Sequence, residues 1–302
     1  MRFCRYFSVA PVLLLCLHSI APPARAQVAL GAFSEPDFPK LLANMQANLK
    51  ANRESELEYT SFELYHNQNW DKSGKLTLDE SEKFENIPIE GILYRHKIEH
   101  NGKPLAGKEA EEEQKRYDKA IAERRAMTPE QKRMSFHLTV HFHQLPVCCL
   151  GTLFDNRILR REQWNGRDTL VIESTPSPEA KPANNDEKSA LNWKETTWID
   201  LADEMPVRIE ATLLADVDPM KRGNSLILEY QRVLGRSEKD GQPGKPVWLL
   251  SEAVFHGNAK VMGFDRSFTT EQIWSEFKRF QVDVRILDSP AREVQGEDGG
   301  KP

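Results

Sequence analysis

The chain has 302 residues, a formal net charge of −5 at pH 7, 39% hydrophobic and 29% charged residues, and four cysteines. A mildly acidic balance gives no electrostatic reason to bind nucleic acid or an anionic lipid surface. The length exceeds one average domain, but large sheets and barrels reach it as single domains.

Residues 1–26 read as a secretory signal peptide. Arg2 and Arg5 precede an apolar stretch at 9–20, and Ala24-Arg25-Ala26 places small residues before a cleavage point between Ala26 and Gln27. The stretch contains Pro11 and His18 and is too short to span a bilayer. Cys16 follows Leu15, which does not suit lipoprotein cleavage. The expectation is therefore a soluble periplasmic protein with no transmembrane segment in the mature chain. Removal of the signal takes Cys4 and Cys16 away. Cys148 and Cys149 remain and are adjacent, so they staple no distant segments.

Asp37-Phe38-Pro39 suits a helix start, and Leu41, Leu42, Met45 and Leu49 recur at helical spacing. The sequence predicts a helix near 38–53. Tyr59, Thr60, Phe62 and Tyr65 are strand formers. Leu76 and Leu78 alternate with polar residues beyond a turn at Asp71-Lys72-Ser73-Gly74. A further strand at 92–98 ends at Asn101-Gly102. Residues 107–127 are dense in Glu, Lys, Arg and Ala and read as an exposed helix with i,i+4 pairs Glu111/Lys115 and Glu112/Arg116. Thr128-Pro129-Glu130-Gln131 then carries a capping-box pattern. Together these make a charged helical insertion near 107–145.

Strands dominate the remainder. Segments 154–163 and 168–174 flank Asn165-Gly166, a signature of a two-residue type I′ turn. Residues 175–191 form a loop with room for a short helix. Segments 194–200 and 205–214 make a second hairpin, in which Val207, Ile209, Ala211 and Leu213 alternate with polar partners. Leu226, Leu228 and Tyr230 share a strand face, 247–255 answers it, and 260–262 and 268–286 add more strand. Residues 288–302 have the composition of a disordered tail. The expectation is one α+β domain over 27–287: an unclosed, strongly curved antiparallel sheet, a half-barrel, with helices covering the open side.

Residues 69–80 imitate a calcium loop, with Gly74 at position 6 and Glu80 at position 12. Asn69 stands at position 1 where Asp is usual, and strands rather than helices flank the loop, so a plain hairpin turn is expected. His137, His141 and His143 form H-x3-H-x-H. In a strand all three share a face; in a helix His137 and His141 do and His143 does not. Neither arrangement supplies an evident fourth ligand, and the expected reading is a polar face. The sequence contains no G-x-S-x-G, H-E-x-x-H, P-loop or dinucleotide glycine pattern. No catalytic residue, metal or cofactor is assigned.

The order of several short motifs resembles the LolA/LolB-like superfamily of periplasmic lipoprotein-sorting carriers, in particular longer exported members. The residues are Glu58-Tyr59-Thr60-Ser61-Phe62, Asp71-Lys72-Ser73-Gly74-Lys75, and Trp164-Asn165-Gly166-Arg167 before Leu170-Val171-Ile172-Glu173. They continue with Thr175-Pro176-Ser177-Pro178, then Thr197-Trp198-Ile199-Asp200 before Pro206-Val207-Arg208-Ile209-Glu210, and Trp274-Ser275-Glu276-Phe277-Lys278-Arg279-Phe280. The resemblance implies an open barrel with an apolar interior that takes acyl chains. The charged insertion departs from it. The expected function is a non-enzymatic carrier or binding protein for a lipid or lipid-modified protein. Leu170, Ile172, Trp198, Val207, Ile209, Leu226 and Leu228 are the expected apolar cavity wall. The alternatives are an envelope interaction or scaffolding module with a packed interior and an envelope protein partner, and a metal-dependent enzyme at His137, His141 and His143.

Overall fold

The computed structural model describes residues 27–28, 37–56, 58–132, 150–236, 243–261 and 264–279. The expected signal peptide, the histidine trio, Cys148 and Cys149, and the 288–302 tail lie outside them.

Strand formation follows turn chemistry. At Glu90-Gly91, Asn101-Gly102 and Asn165-Gly166 both central residues have φ > 0, the backbone that a type I′ hairpin turn needs. The third is the turn expected from Asn165-Gly166. After a two-residue edge strand β1 (Gln27–Val28), helix α1 (Asp37–Glu56) leads into β2 (Tyr59–Trp70), β3 (Leu76–Ile89), β4 (Ile92–His100) and β5 (Lys103–Pro104). Helix α2 (Gly107–Ala126) follows. Then come β6 (Phe154–Trp164), β7 (Arg167–Pro176), helix α3 (Asn185–Ala190), β8 (Trp193–Asp200), β9 (Met205–Leu213), β10 (Ser225–Arg236), β11 (Pro243–Val261) and β12 (Phe264–Arg279). All pairings are antiparallel, in the order β1-β6-β7-β8-β9-β10-β11-β12-β2-β3-β4-β5. The two ends, β1 and β5, do not meet, so the half-barrel is unclosed.

One cap expected from sequence forms as written, and a second comes only from the structure. Thr128 N donates to Gln131 Oε1 at 2.8 Å, and Gln131 N donates to Thr128 Oγ1 at 3.2 Å, the reciprocal pair of a capping box. The short α3 is capped by Asn184, whose Oδ1 accepts from Asp186 N and Glu187 N. On α2, Arg116 closes on Glu113, and the i,i+4 ion pairs are Lys108–Glu112 and Lys119–Glu123.

α1 places Leu41, Leu42 and Met45 on one sheet face, where they are buried with Leu170, Ile172, Ile199, Ile209, Leu228 and Ala253. Each buried Leu, Ile or Met side chain contributes on the order of 1.5–3 kcal/mol by leaving water. α2 lies elsewhere. It packs on β4 through Tyr94 and His96, whose rings meet Tyr117. Those residues alternate with Arg95, which faces the α1 side, so the two long helices attend opposite sides of the sheet. No helix among the described residues is long and apolar enough to cross a membrane.

Candidate functional site

The inner face of β7–β11 is the apolar wall. Leu170, Ile172, Ile209 and Leu228 are buried in one cluster, with Leu226 half-buried against it. These are five of the seven residues expected to share a cavity wall. Trp198 and Val207 belong to a second cluster with Val171, Met205 and Trp248. The reason is local. A β-bulge sets Trp198 opposite Arg208 and Ile199 opposite Pro206, leaving Val207 as the extra residue. The bulge turns Val207 to the Trp198 side, so strict alternation from Ile209 fails at that point. The expectation that Val207 and Ile209 share a face is corrected accordingly.

The wall is filled by the chain's own side chains. Met45 of α1 is 0% exposed, as are Leu170, Ile172 and Ile209. Thr197 and Glu195 are also fully buried on this face, and the Thr197 hydroxyl has no hydrogen-bond partner among the described residues. α1 is held by a polar stripe beside its apolar one. Asn44 Nδ2 donates to Glu204 Oε1, Asn48 Nδ2 to Asp203 O, and Asn52 Nδ2 to Trp248 O. Spacing by four residues puts all three on one helix face. Beneath them a cavity of about 320 Å³ separates α1 from the β8–β9 turn and the start of β11, with Asn52, Ala202, Met205 and Trp248 among its walls. A larger cavity of about 870 Å³ opens where Leu153 and Ala180 edge the apolar cluster, ringed by Thr152, Pro178, Glu179, Lys181 and Glu187.

The inner face of the N-terminal strands is polar, a contrast that sequence reading missed. Glu63 on β2 is 2% exposed. It accepts from Arg95 Nε and Nη2 at 2.9 and 2.6 Å, from Asn86 Nδ2 at 3.3 Å and from Gln272 Nε2 at 3.0 Å. The Arg95 guanidinium stacks over Phe84, 4.0 Å from the ring centroid. The available signal was the run Ser61, Glu63, Tyr65 at period two, which carries polar groups where a core strand carries aliphatics.

The outer face of β6–β9 has its own tryptophan layer around Trp198, while Trp248 of β11 stands at the cavity beneath α1. Trp198 Nε1 donates to buried Glu162 Oε1 at 2.5 Å, and Trp248 Nε1 donates to Asp203 Oδ2 at 3.1 Å. Arg160 and Arg208 lie over Trp198, Arg208 also over Trp164, and Arg167 over Trp248. The acids beside them, Glu162, Asp200, Asp203, Glu210 and Glu229, pair with the arginines. Guanidinium stems cover the indoles as apolar roofing while their heads stay wet.

The calcium-like loop is a saturated turn. Asp71 Oδ1 accepts from Ser73 N, Ser73 Oγ and Lys75 N. The Ser73 hydroxyl bond, with those from the Lys75 and Ser73 backbone, holds the carboxyl below its usual range. Glu80, the would-be bidentate ligand, bonds His100 Nε2 at 2.7 Å. Among the described residues no group of three or more His, Cys, Asp or Glu is arranged to hold a metal ion.

No family model matches the sequence, and no curated protein matches it. Several solved structures resemble the fold, among them the following three. A Vibrio parahaemolyticus domain named for outer membrane lipoprotein sorting is 12% identical over 82% of this chain and 96% of its own, with a TM-score of 0.34. A DUF1329 family protein from Desulfovibrio piger is 11% identical over 82% and 95%, with a TM-score of 0.28. A LolA superfamily protein from Nitrosomonas europaea is 9% identical over 79% and 94%, with a TM-score of 0.27.

Proposed function

We propose that this chain is a non-enzymatic exported protein that holds a lipid or a lipid-modified protein against the apolar inner wall of β7–β11. The observation that carries the reading is the composition of that wall and its cover. Leu170, Ile172, Ile209, Leu226 and Leu228 form a continuous aliphatic surface, and one helix seals it with Leu41, Leu42 and Met45. An acyl chain buried there would gain about 0.8 kcal/mol per CH₂. That gain is non-directional, so it needs no ligand-specific residue. α1 is the element that must give way, because its side chains occupy the space an acyl chain would take.

A second reading is favoured by the fully buried state of Met45, Leu170, Ile172 and Ile209. A wall already filled suits an envelope interaction module that binds a protein partner on its surface. Ile209→Glu does not separate the two readings, since a charge at a fully buried site unfolds either. Loosening α1 does separate them. Asn52→Ala removes the helix's bonds to the Trp248 backbone and should raise the affinity for a fluorescent C12 acyl probe roughly fivefold, near 1 kcal/mol. Absence of probe binding by both proteins would establish the packed module instead.

A further inference from the structure

Among the described residues, β4 is the last full strand on its side of the sheet. Beyond it, β5 pairs only at Glu99 and His100. The rest of the outer edge of β4 is a row of main-chain groups, which elsewhere would invite another strand. α2 supplies partners for them. Glu113 Oε1 accepts from Lys97 N at 3.1 Å, while Arg124 Nη1 and Nη2 donate to the carbonyls of Ile92 and Leu93, each at 2.9 Å. Residues 113 and 124 lie about 16 Å apart along a helix, and residues 92 and 97 lie about 16 Å apart along a strand. The two spacings match, so a helix stands in for the missing neighbour at both ends of the exposed edge.

This cover is held weakly. Glu113 is the buried residue of α2, and apart from the Tyr117 ring against Tyr94 and His96 the contacts that hold the helix are polar. Tyr94 OH donates to Glu113 Oε1 at 3.1 Å, and Lys97 Nζ donates to Glu109 Oε1 at 3.0 Å. His100 Nδ1 stands 3.1 Å from the same Glu109 oxygen. Such bonds exchange with water for little net stability. α1, by contrast, is seated by three buried aliphatic side chains.

We propose that α2 is a displaceable cover over a strand-addition site, and that the site takes an extended acidic peptide segment of a partner protein along the outer edge of β4. Main-chain bonds to the outward-facing residues Leu93 and Lys97 supply the pairing. The acidic preference follows from what departure of α2 leaves behind. Lys97 and His100 each keep one β3 acid, Glu82 and Glu80, but lose Glu109, and the Lys97 amide and His96 lose Glu113. Carboxylates at alternate positions of an incoming strand restore those contacts. The inference is independent of whether the inner wall binds a lipid.

The test compares the full chain with its Glu113→Ala/Arg124→Ala variant, using a labelled alternating Val–Glu octapeptide and fluorescence anisotropy. The variant should bind roughly tenfold tighter than wild type, because loosening the cover raises the fraction of open edge. Amide exchange should slow at β4 on binding. An alternating Val–Lys octapeptide, and a Val–Glu peptide with central prolines, should bind roughly tenfold more weakly than the Val–Glu peptide. Equal binding of Val–Glu and Val–Lys peptides overturns the acidic assignment. Loosened α2 amides with no gain in peptide binding overturn the site. Dimerisation of the variant in sedimentation assigns the edge to a second copy of this chain and also overturns the proposal. If the double variant fails to fold, Glu109→Gln, at an exposed position, takes its place with an expected gain of about threefold; no gain overturns the proposal.

Discussion

Asn52 shows how one polar side chain can fix a helix on a sheet. The pairing of β11 with β12 begins at Glu252, so at Trp248 the edge of β11 facing β12 has no strand partner among the described residues. The Asn52 amide fills that place. Its Nδ2 donates to Trp248 O at 2.6 Å and its Oδ1 accepts from Trp248 N at 2.8 Å. A side-chain amide has the same donor and acceptor as a peptide unit, so it completes the ladder locally. Asn52→Ala leaves both buried main-chain groups unpaired and should destabilise the fold by about 2 kcal/mol. Urea unfolding followed by tryptophan fluorescence reads this directly, since Trp248 reports on the site; an unchanged midpoint would refute it.

At the scale of elements, α2 behaves differently from α1, and pH should show it. Lys97 donates to Glu109 and, with His100, holds that carboxyl below its ordinary range. A lowered folded pKa means that Glu109 stabilises docking above the pKa it has when undocked, near 4.3. That contribution disappears as the pH falls through the folded value. Lys97, raised above its usual value because the bonds to Glu82 and Glu109 outweigh burial, stays charged throughout this range. Protection of the Lys97 amide should therefore fall below about pH 4 while that of β7 and β8 persists. Uniform loss across the chain would show that α2 is part of the global unit. Tyr94 marks the other limit: burial, with the Glu113 carboxylate beside it, pushes its phenol up to about 12.

The same elements show what sequence can and cannot reveal. α1 was legible because Leu41, Leu42, Met45 and Leu49 repeat at helical spacing. The hairpin at Asn165-Gly166 was legible because few residue pairs accept φ > 0 twice. The charged helix at 107–127 was legible as a helix but not as an edge cover. Nothing local distinguishes Glu113 from Glu111 or Glu112; its burial depends on the main chain of β4. Leu170, Ile172, Ile209, Leu226 and Leu228 pack in one cluster as alternation predicts, while Val207 and Trp198 pack in another. A bulge adds one residue to one strand and leaves no mark in the hydrophobic pattern. The polar inner face of β2–β4 was hidden by the same limit, because Glu63 is paired with Arg95, 32 residues away.

Across the whole molecule, the sheet is one continuous ladder with two unlike halves. β7, β8 and β9 are packed on both faces, by the aliphatic cluster under α1 and by the Trp–Arg layer outside. β2, β3 and β4 carry few buried residues and are joined to the rest by the β2–β12 pairing. Hydrogen bonds alone add little net stability, so local stability should follow apolar burial rather than ladder continuity. The amides of Leu170, Val171, Ile172 and Ile199 should exchange only by global unfolding, with free energies that rise and fall with measured overall stability. Those of residues 77–83 and 94–98 should exchange by smaller openings, roughly 2–4 kcal/mol below the global value. Trp198→Ala, which empties the outer layer next to Val171 and removes the indole bond to Glu162, should lower the β7–β9 values by about 3–5 kcal/mol. It should leave the β3–β4 openings unchanged as long as those stay below the reduced global value. If both halves lose protection together from the outset, the twelve strands form a single cooperative unit and the division proposed here fails.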